Sequence, residues 1–116
     1  MKYASILFND REIAQVICAD KYILRLRGLI GRKIDNGQGL ILSPCHQIHT
    51  FFMKYSIDAI YLDQEYRILR IDSAITPGKT YKSEKHACHV VELTANSAKT
   101  NKLKPGDILS FCIAAR

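Results

Sequence analysis

Tryptophan is absent from this chain, proline occurs only three times, and no apolar stretch approaches the roughly 18 residues of a membrane-spanning helix. The apolar run at residues 3–8 is broken by Asn9-Asp10-Arg11 and is too short for an export signal, so the expected location is the cytoplasm. Blocks of like charge are missing, as is a glycine-rich phosphate loop; Gly37 and Gly39 mark only a turn. The cysteines Cys18, Cys45, Cys88 and Cys112 are widely spaced and lie in or beside apolar runs, which suits packed thiols better than a disulfide framework.

What is present is an ordinary globular composition, 47% hydrophobic and 24% charged. The 116 residues fit a single domain, 1–116, able to bury roughly two-thirds of the surface of its unfolded chain. Seventeen Lys and Arg against eleven Asp and Glu give a net charge of +6, a balance that attracts anionic partners. Many of the bases are scattered lysines in the second half (Lys79, Lys82, Lys85, Lys99, Lys102, Lys104), and they read first as a solvated face. A protein-interaction or nucleic-acid-binding surface is the alternative for them.

Runs at 3–8 and 13–18, separated by a polar cluster, predict a hairpin. After Asp20, the residues Tyr22, Ile23, Leu26, Leu29 and Ile30 recur at helical spacing, with Asp20 as cap and Gly31 as stop. Arg25 and Arg27 flank that stripe, and Arg32 follows its end, where the helix dipole favours a cation. Further strands are predicted at 40–42, 49–53, 57–62, 66–71, 88–93 and 108–114, with a loop at 73–87 and a short helical turn within 94–102. Residues 57–62 are apolar on both faces and so predict a central strand. Together these predict an α+β, mainly β domain: a small antiparallel barrel-like or curled sheet with one principal helix and a short second helical turn.

The motifs Arg25-x-Arg27-Gly28-Leu29-x-Gly31-Arg32, Gly39-Leu40, Ile48-His49-Thr50-Phe51-Phe52-Met53, Ile57-Asp58, Leu62-Asp63, Val91-Glu92-Leu93 and Pro105-Gly106-Asp107 resemble those of the DUF192 family, a domain of unknown function. The resemblance spans nearly the whole chain. It implies a compact, mostly β fold with one helix and no established activity. The chain departs from the family pattern at Ala95-Asn96, where relatives usually carry Ala-Gly; asparagine is the next-best residue for a left-handed backbone.

Among chemistry-bearing residues, Asp58 stands out, because a carboxylate on an apolar strand must be paired, hydrogen-bonded or protonated. Either Arg27 or Arg32 reaches it, or it accepts backbone N–H groups. His49 and Thr50 alternate in direction, so only one of them faces a given cavity; an inward His49 would be a satisfied core histidine or a ligand contact. Cys45, His46, His49, Cys88 and His89, with His86, form a weaker candidate set of metal ligands whose spacing matches no standard zinc motif, so no metal or other cofactor is expected. Ser43, Ser56, Cys45 and Cys88 lie in no recognisable nucleophile elbow. The expected function is a binding module in which Arg27, Arg32, His49, Thr50 and Asp58 line a pocket for a small anionic or peptide-like ligand, without catalysis. A hydrolase using His49 as base is the enzymatic alternative.

Overall fold

The computed structural model describes residues 2–19, 35–51 and 53–114. β1 (Lys2–Phe8) and β2 (Arg11–Ala19) form the predicted hairpin. Its turn is the pair Asn9 and Asp10, with φ of 52° and 62°, the left-handed values that a two-residue type I′ turn requires and that these residues tolerate. There follow β3 (Gln38–Leu42), β4 (Ile57–Leu62), β5 (Ile68–Ile75), β6 (His89–Thr94), the single turn of helix α1 (Ser97–Thr100) and β7 (Ser110–Ala114).

The seven strands form one sheet in the order β5-β4-β6-β3-β2-β1-β7. The mainly β class is as expected, but two details differ. The sheet is mixed rather than antiparallel, because β2 and β3 run parallel with Ile17 opposite Leu40. Parallel neighbours need a long crossover, and residues 20–37 are that connection. The second difference is that β5 and β7 terminate the order without pairing with each other, so the sheet is open rather than a closed barrel. The principal helix predicted from Asp20 to Gly31 lies outside the described residues, as do Arg25, Arg27 and Arg32.

The described residues among 49–53 form no strand; His49 makes only an isolated bridge to Thr80. β4 pairs on both sides, with β5 and β6, and all six of its residues are buried, as the two-sided apolar pattern implies. Its alternation divides the core. Ile60 and Leu62 join Ile6, Val16, Ile41, Val91, Leu93, Ala98 and Leu109 on one face, whereas Ile57, Ala59 and Tyr61 join Leu40, Leu42, Cys45, Ile48, Ile75 and Val90 on the other. The second face is covered by two segments, 43–56 and 76–88, which are zipped together. Thr50 N–H donates to the Lys79 carbonyl at 2.8 Å, Gly78 N–H to the Thr50 carbonyl at 2.8 Å and Glu84 N–H to the His46 carbonyl at 2.8 Å.

Close strand contact fixes one glycine. A Cβ on Gly39 would lie 2.3 Å from the Glu92 carbonyl oxygen and 2.5 Å from a methyl of Leu93, on the strand paired with it. Gly39→Ala is therefore expected to lower stability by about 1–3 kcal/mol, the usual penalty of overpacking. Urea unfolding of the two proteins measures this, and equal midpoints would contradict the contact.

Candidate functional site

Four polar centres interrupt the apolar strands. The first is Asp58, fully buried on β4 on the face of Ile60 and Leu62. One carboxylate oxygen accepts N–H bonds from Ala74 at 2.8 Å and Asn96 at 3.0 Å; the other accepts from Ala98 at 2.9 Å. Ala74 and Asn96 both have left-handed backbones, with φ of 48° and 72°. Asn96 starts α1 without a capping bond from its own side chain, and Asp58 serves the helix start from the neighbouring strand. Three backbone donors satisfy most of the carboxylate. The predicted partners Arg27 and Arg32 lie outside the described residues.

Thr50, not His49, turns inward. Its hydroxyl donates to the Thr76 carbonyl at 2.7 Å and accepts Lys79 N–H at 3.0 Å, so it clasps the two covering segments together. The His49 ring is exposed and stacked on Phe51 at 4.9 Å, and its Nδ1 accepts Phe51 N–H at 3.4 Å. It is not a core histidine. No serine, threonine or cysteine side chain is bonded to it among the described residues. The structure thus brings His49 and Thr50 onto one covering segment, while Asp58 serves the opposite face of the sheet. The metal-ligand candidates also separate. Cys45 is buried with its sulfur on the Gln47 carbonyl, His46 is exposed, and His89 is bonded to Ser43. Among the described residues no three of His, Cys, Asp and Glu gather as a metal ion needs, and no disulfide joins the cysteines.

The second centre is Glu92 on β6, 5% exposed, between Leu40 of β3 and Ala59 of β4. Among the described residues no donor or cation meets its carboxyl. Burial alone pushes its pKa up to about 7. Sequence reasoning placed Glu92 only inside a family motif and gave it no role. The available signal was the one that singled out Asp58: a lone carboxyl in the apolar run Val90 to Leu93.

On the same face, two positions along β4, lies the third centre. The Tyr61 hydroxyl is fully buried without a hydrogen bond of good geometry, and burial, with the nearby Asp72 charge, pushes its pKa up to about 12. Arg70 of β5 lies 4.0 Å above the Tyr61 ring, forms two 3.1 Å bonds with Asp72 and donates to the Lys82 carbonyl at 2.6 Å. Its donors are spent on tying segment 82–84 to the sheet edge, next to a cleft of about 530 Å³ lined by Arg70, Asp72, Tyr81 and Lys82. The fourth centre is a bond between the Ser43 hydroxyl and His89 Nδ1, with the His89 pKa lowered by burial and partly restored by Asp63.

Two stability effects follow. Asp58→Ala removes the acceptor of three N–H bonds, that of Ala98 buried and those of Ala74 and Asn96 part-buried, and is expected to cost about 1–3 kcal/mol, read as a lowered urea midpoint. Glu92 acts in the opposite sense. Its folded pKa lies above its ordinary value of 4.5, so the folded state holds the proton more tightly; the stability this gives is full below pH 4.5 and is lost as pH rises through about 7. The loss amounts to about 3 kcal/mol. Glu92→Gln should flatten that slope and raise the melting temperature at pH 8, and an unchanged pH profile would rule the effect out.

Comparison with known proteins identifies the family and shows the fold to be shared. The DUF192 family model, described as "Uncharacterized ACR", matches residues 5–111. A UPF0127 protein of Pyrococcus abyssi is 33% identical over 99 residues, covering 80% of this chain and 82% of that one. A UPF0127 protein of Thermococcus kodakarensis is 29% identical over 102 residues, 84% of this chain but only 64% of the relative's length. The fold is shared with a crystal structure of a proposed transcription regulator from Sinorhizobium meliloti (TM-score 0.81, 18% identity, 95% of this chain and 92% of that one). It is also shared with a protein of unknown function from Novosphingobium aromaticivorans (TM-score 0.78, 16% identity, 93% and 83%). With a family model spanning most of its length and UPF0127 relatives beside it, this chain belongs to the DUF192 family.

Proposed function

We propose that this protein is a binding module for a small anionic or peptide-like ligand, taken up on the sheet face that carries Glu92 and Tyr61. The observation that carries the reading is Glu92: a carboxyl 5% exposed in the middle of the sheet, with no donor or cation among the described residues. Leaving such a group unpaired costs more than leucine or glutamine would at the same place, and its retention is accounted for by a partner that arrives from outside. When protonated, Glu92 donates to a carboxylate or carbonyl; when ionised, it accepts from an amide N–H. A peptide-like ligand offers both groups, and a carboxylate ligand selects the protonated form.

In this reading Arg27, Arg32 and His49 supply further contacts, Thr50 positions the covering segment, and Asp58 holds the scaffold through backbone bonds. Nothing in it requires a reaction.

The experiment is native mass spectrometry of freshly purified protein, followed by titration with N-acetylglycine monitored through backbone amide signals. Perturbations should centre on Leu40, Ala59 and Glu92. Because only the protonated fraction binds an anion, affinity should weaken about tenfold between pH 6 and pH 8, and Glu92→Gln should abolish that dependence. Perturbations confined to the surface lysines, with the same affinity at both pH values, would overturn the reading.

A further inference from the structure

Away from Glu92, the ends of three neighbouring strands bring together a hydroxyl, an imidazole and a carboxylate. In the sheet, β4, β6 and β3 are adjacent. Asp63 follows the last residue of β4, His89 opens β6 and Ser43 follows the last residue of β3. The pairings of Leu62 with His89 and of Leu42 with Val90 place all three at one end of the sheet. Backbone bonds lock these ends in register: Cys88 N–H donates to the Leu62 carbonyl at 2.8 Å, and Cys45 N–H to the Cys88 carbonyl at 3.0 Å.

We propose that Ser43 is a nucleophile with His89 as its base, a site for acyl transfer from small activated esters. It is independent of the ligand-binding reading and places the base at His89, where the sequence suggested His49. Geometry carries it. The Ser43 hydroxyl is bonded to His89 Nδ1, and both residues are half-buried, so the pair is neither sealed in the core nor flooded by water. The His89 ring is held against the Tyr66 ring at 4.9 Å, and Tyr66 in turn against Phe111 at 4.7 Å, which restrains the imidazole orientation. Asp63 anchors its own turn, one carboxylate oxygen accepting the N–H groups of Glu65 and Arg67 at 2.9 Å each. Its charge also acts on the His89 ring, favouring the imidazolium that forms when the ring takes a proton. Burial keeps the resting imidazole neutral, the form a base needs.

In the tautomer with hydrogen on Nε2, His89 Nδ1 accepts the Ser43 proton as Oγ bonds to the ester carbonyl carbon. The carbon–alkoxy bond then breaks, and His89 returns that proton to the departing alkoxide. Water attacks the acyl-serine with His89 taking its proton; the acid leaves and Ser43 regains its hydrogen. The sum is ester plus water giving acid plus alcohol.

The test is labelling with a fluorophosphonate, read by intact mass and peptide mapping, together with p-nitrophenyl acetate hydrolysis. One adduct on Ser43 is expected, absent from Ser43→Ala and formed at least tenfold more slowly by His89→Gln, with melting temperatures of the variants checked alongside. On the unmodified protein, which needs no variant to fold, the labelling rate should rise with pH through one titration below the ordinary histidine value. No adduct on Ser43, a flat pH profile, or equal labelling of a folded His89→Gln protein would overturn the proposal and leave the Ser43–His89 bond as a structural tie.

Discussion

The Asp58 carboxylate is the constraint on which much of the fold rests. It sits at zero exposure in a strand paired on both sides, where an ionised group without donors would be prohibitive. The chain meets that demand by bending toward it: β5 turns left-handed at Ala74, and the segment after β6 turns left-handed at Asn96, each delivering an N–H. A third N–H, from Ala98, completes the set. Three elements distant in sequence, β4, β5 and α1, are thereby fixed to a single side chain. The unusual backbone at two non-glycine positions has its explanation in that one group.

Glu92 makes the contrast. It is nearly as buried and carries the same functional group, yet it faces Leu40 and Ala59 with no donor among the described residues. The difference follows from the two faces of the sheet. On the Asp58 face, α1 brings open N–H groups; on the Glu92 face, segments 43–56 and 76–88 spend their backbone groups on one another and offer mainly apolar side chains inward. One carboxyl is therefore held by the scaffold, while the other has no donor among the described residues and its pKa is pushed up to about 7 by burial. Tyr61, beside it on the same face, has a hydroxyl that also lacks a well-formed bond.

How much of this the sequence carried depends on the range of the interaction. The β1–β2 hairpin was legible from the polar cluster Asn9 to Glu12 between two apolar runs, because such signals are local, while the tight two-residue turn at Asn9 and Asp10 was seen only in the structure. So was the central position of β4, with apolar residues on both sides. That Asp58 needs partners could be read from its apolar surroundings, which call for either an arginine or backbone N–H donors. Which atoms supply them could not, since they lie 16, 38 and 40 residues away. The His49 and Thr50 orientation was undetermined for a related reason: alternation says that they oppose each other but not which one the cover buries.

By itself, then, the sequence determined the β-rich class, the turns, the buried central strand and the family, since these follow from periodicity, backbone preference and short motifs that survive in any context. Tertiary structure decided the parallel β2–β3 pair, the division of Asp58 and Glu92 between opposite faces, and the meeting of Ser43 with His89. Those depend on which strands become neighbours, and strand order is fixed by crossover and by collective burial of both sheet faces rather than by any local run of residues.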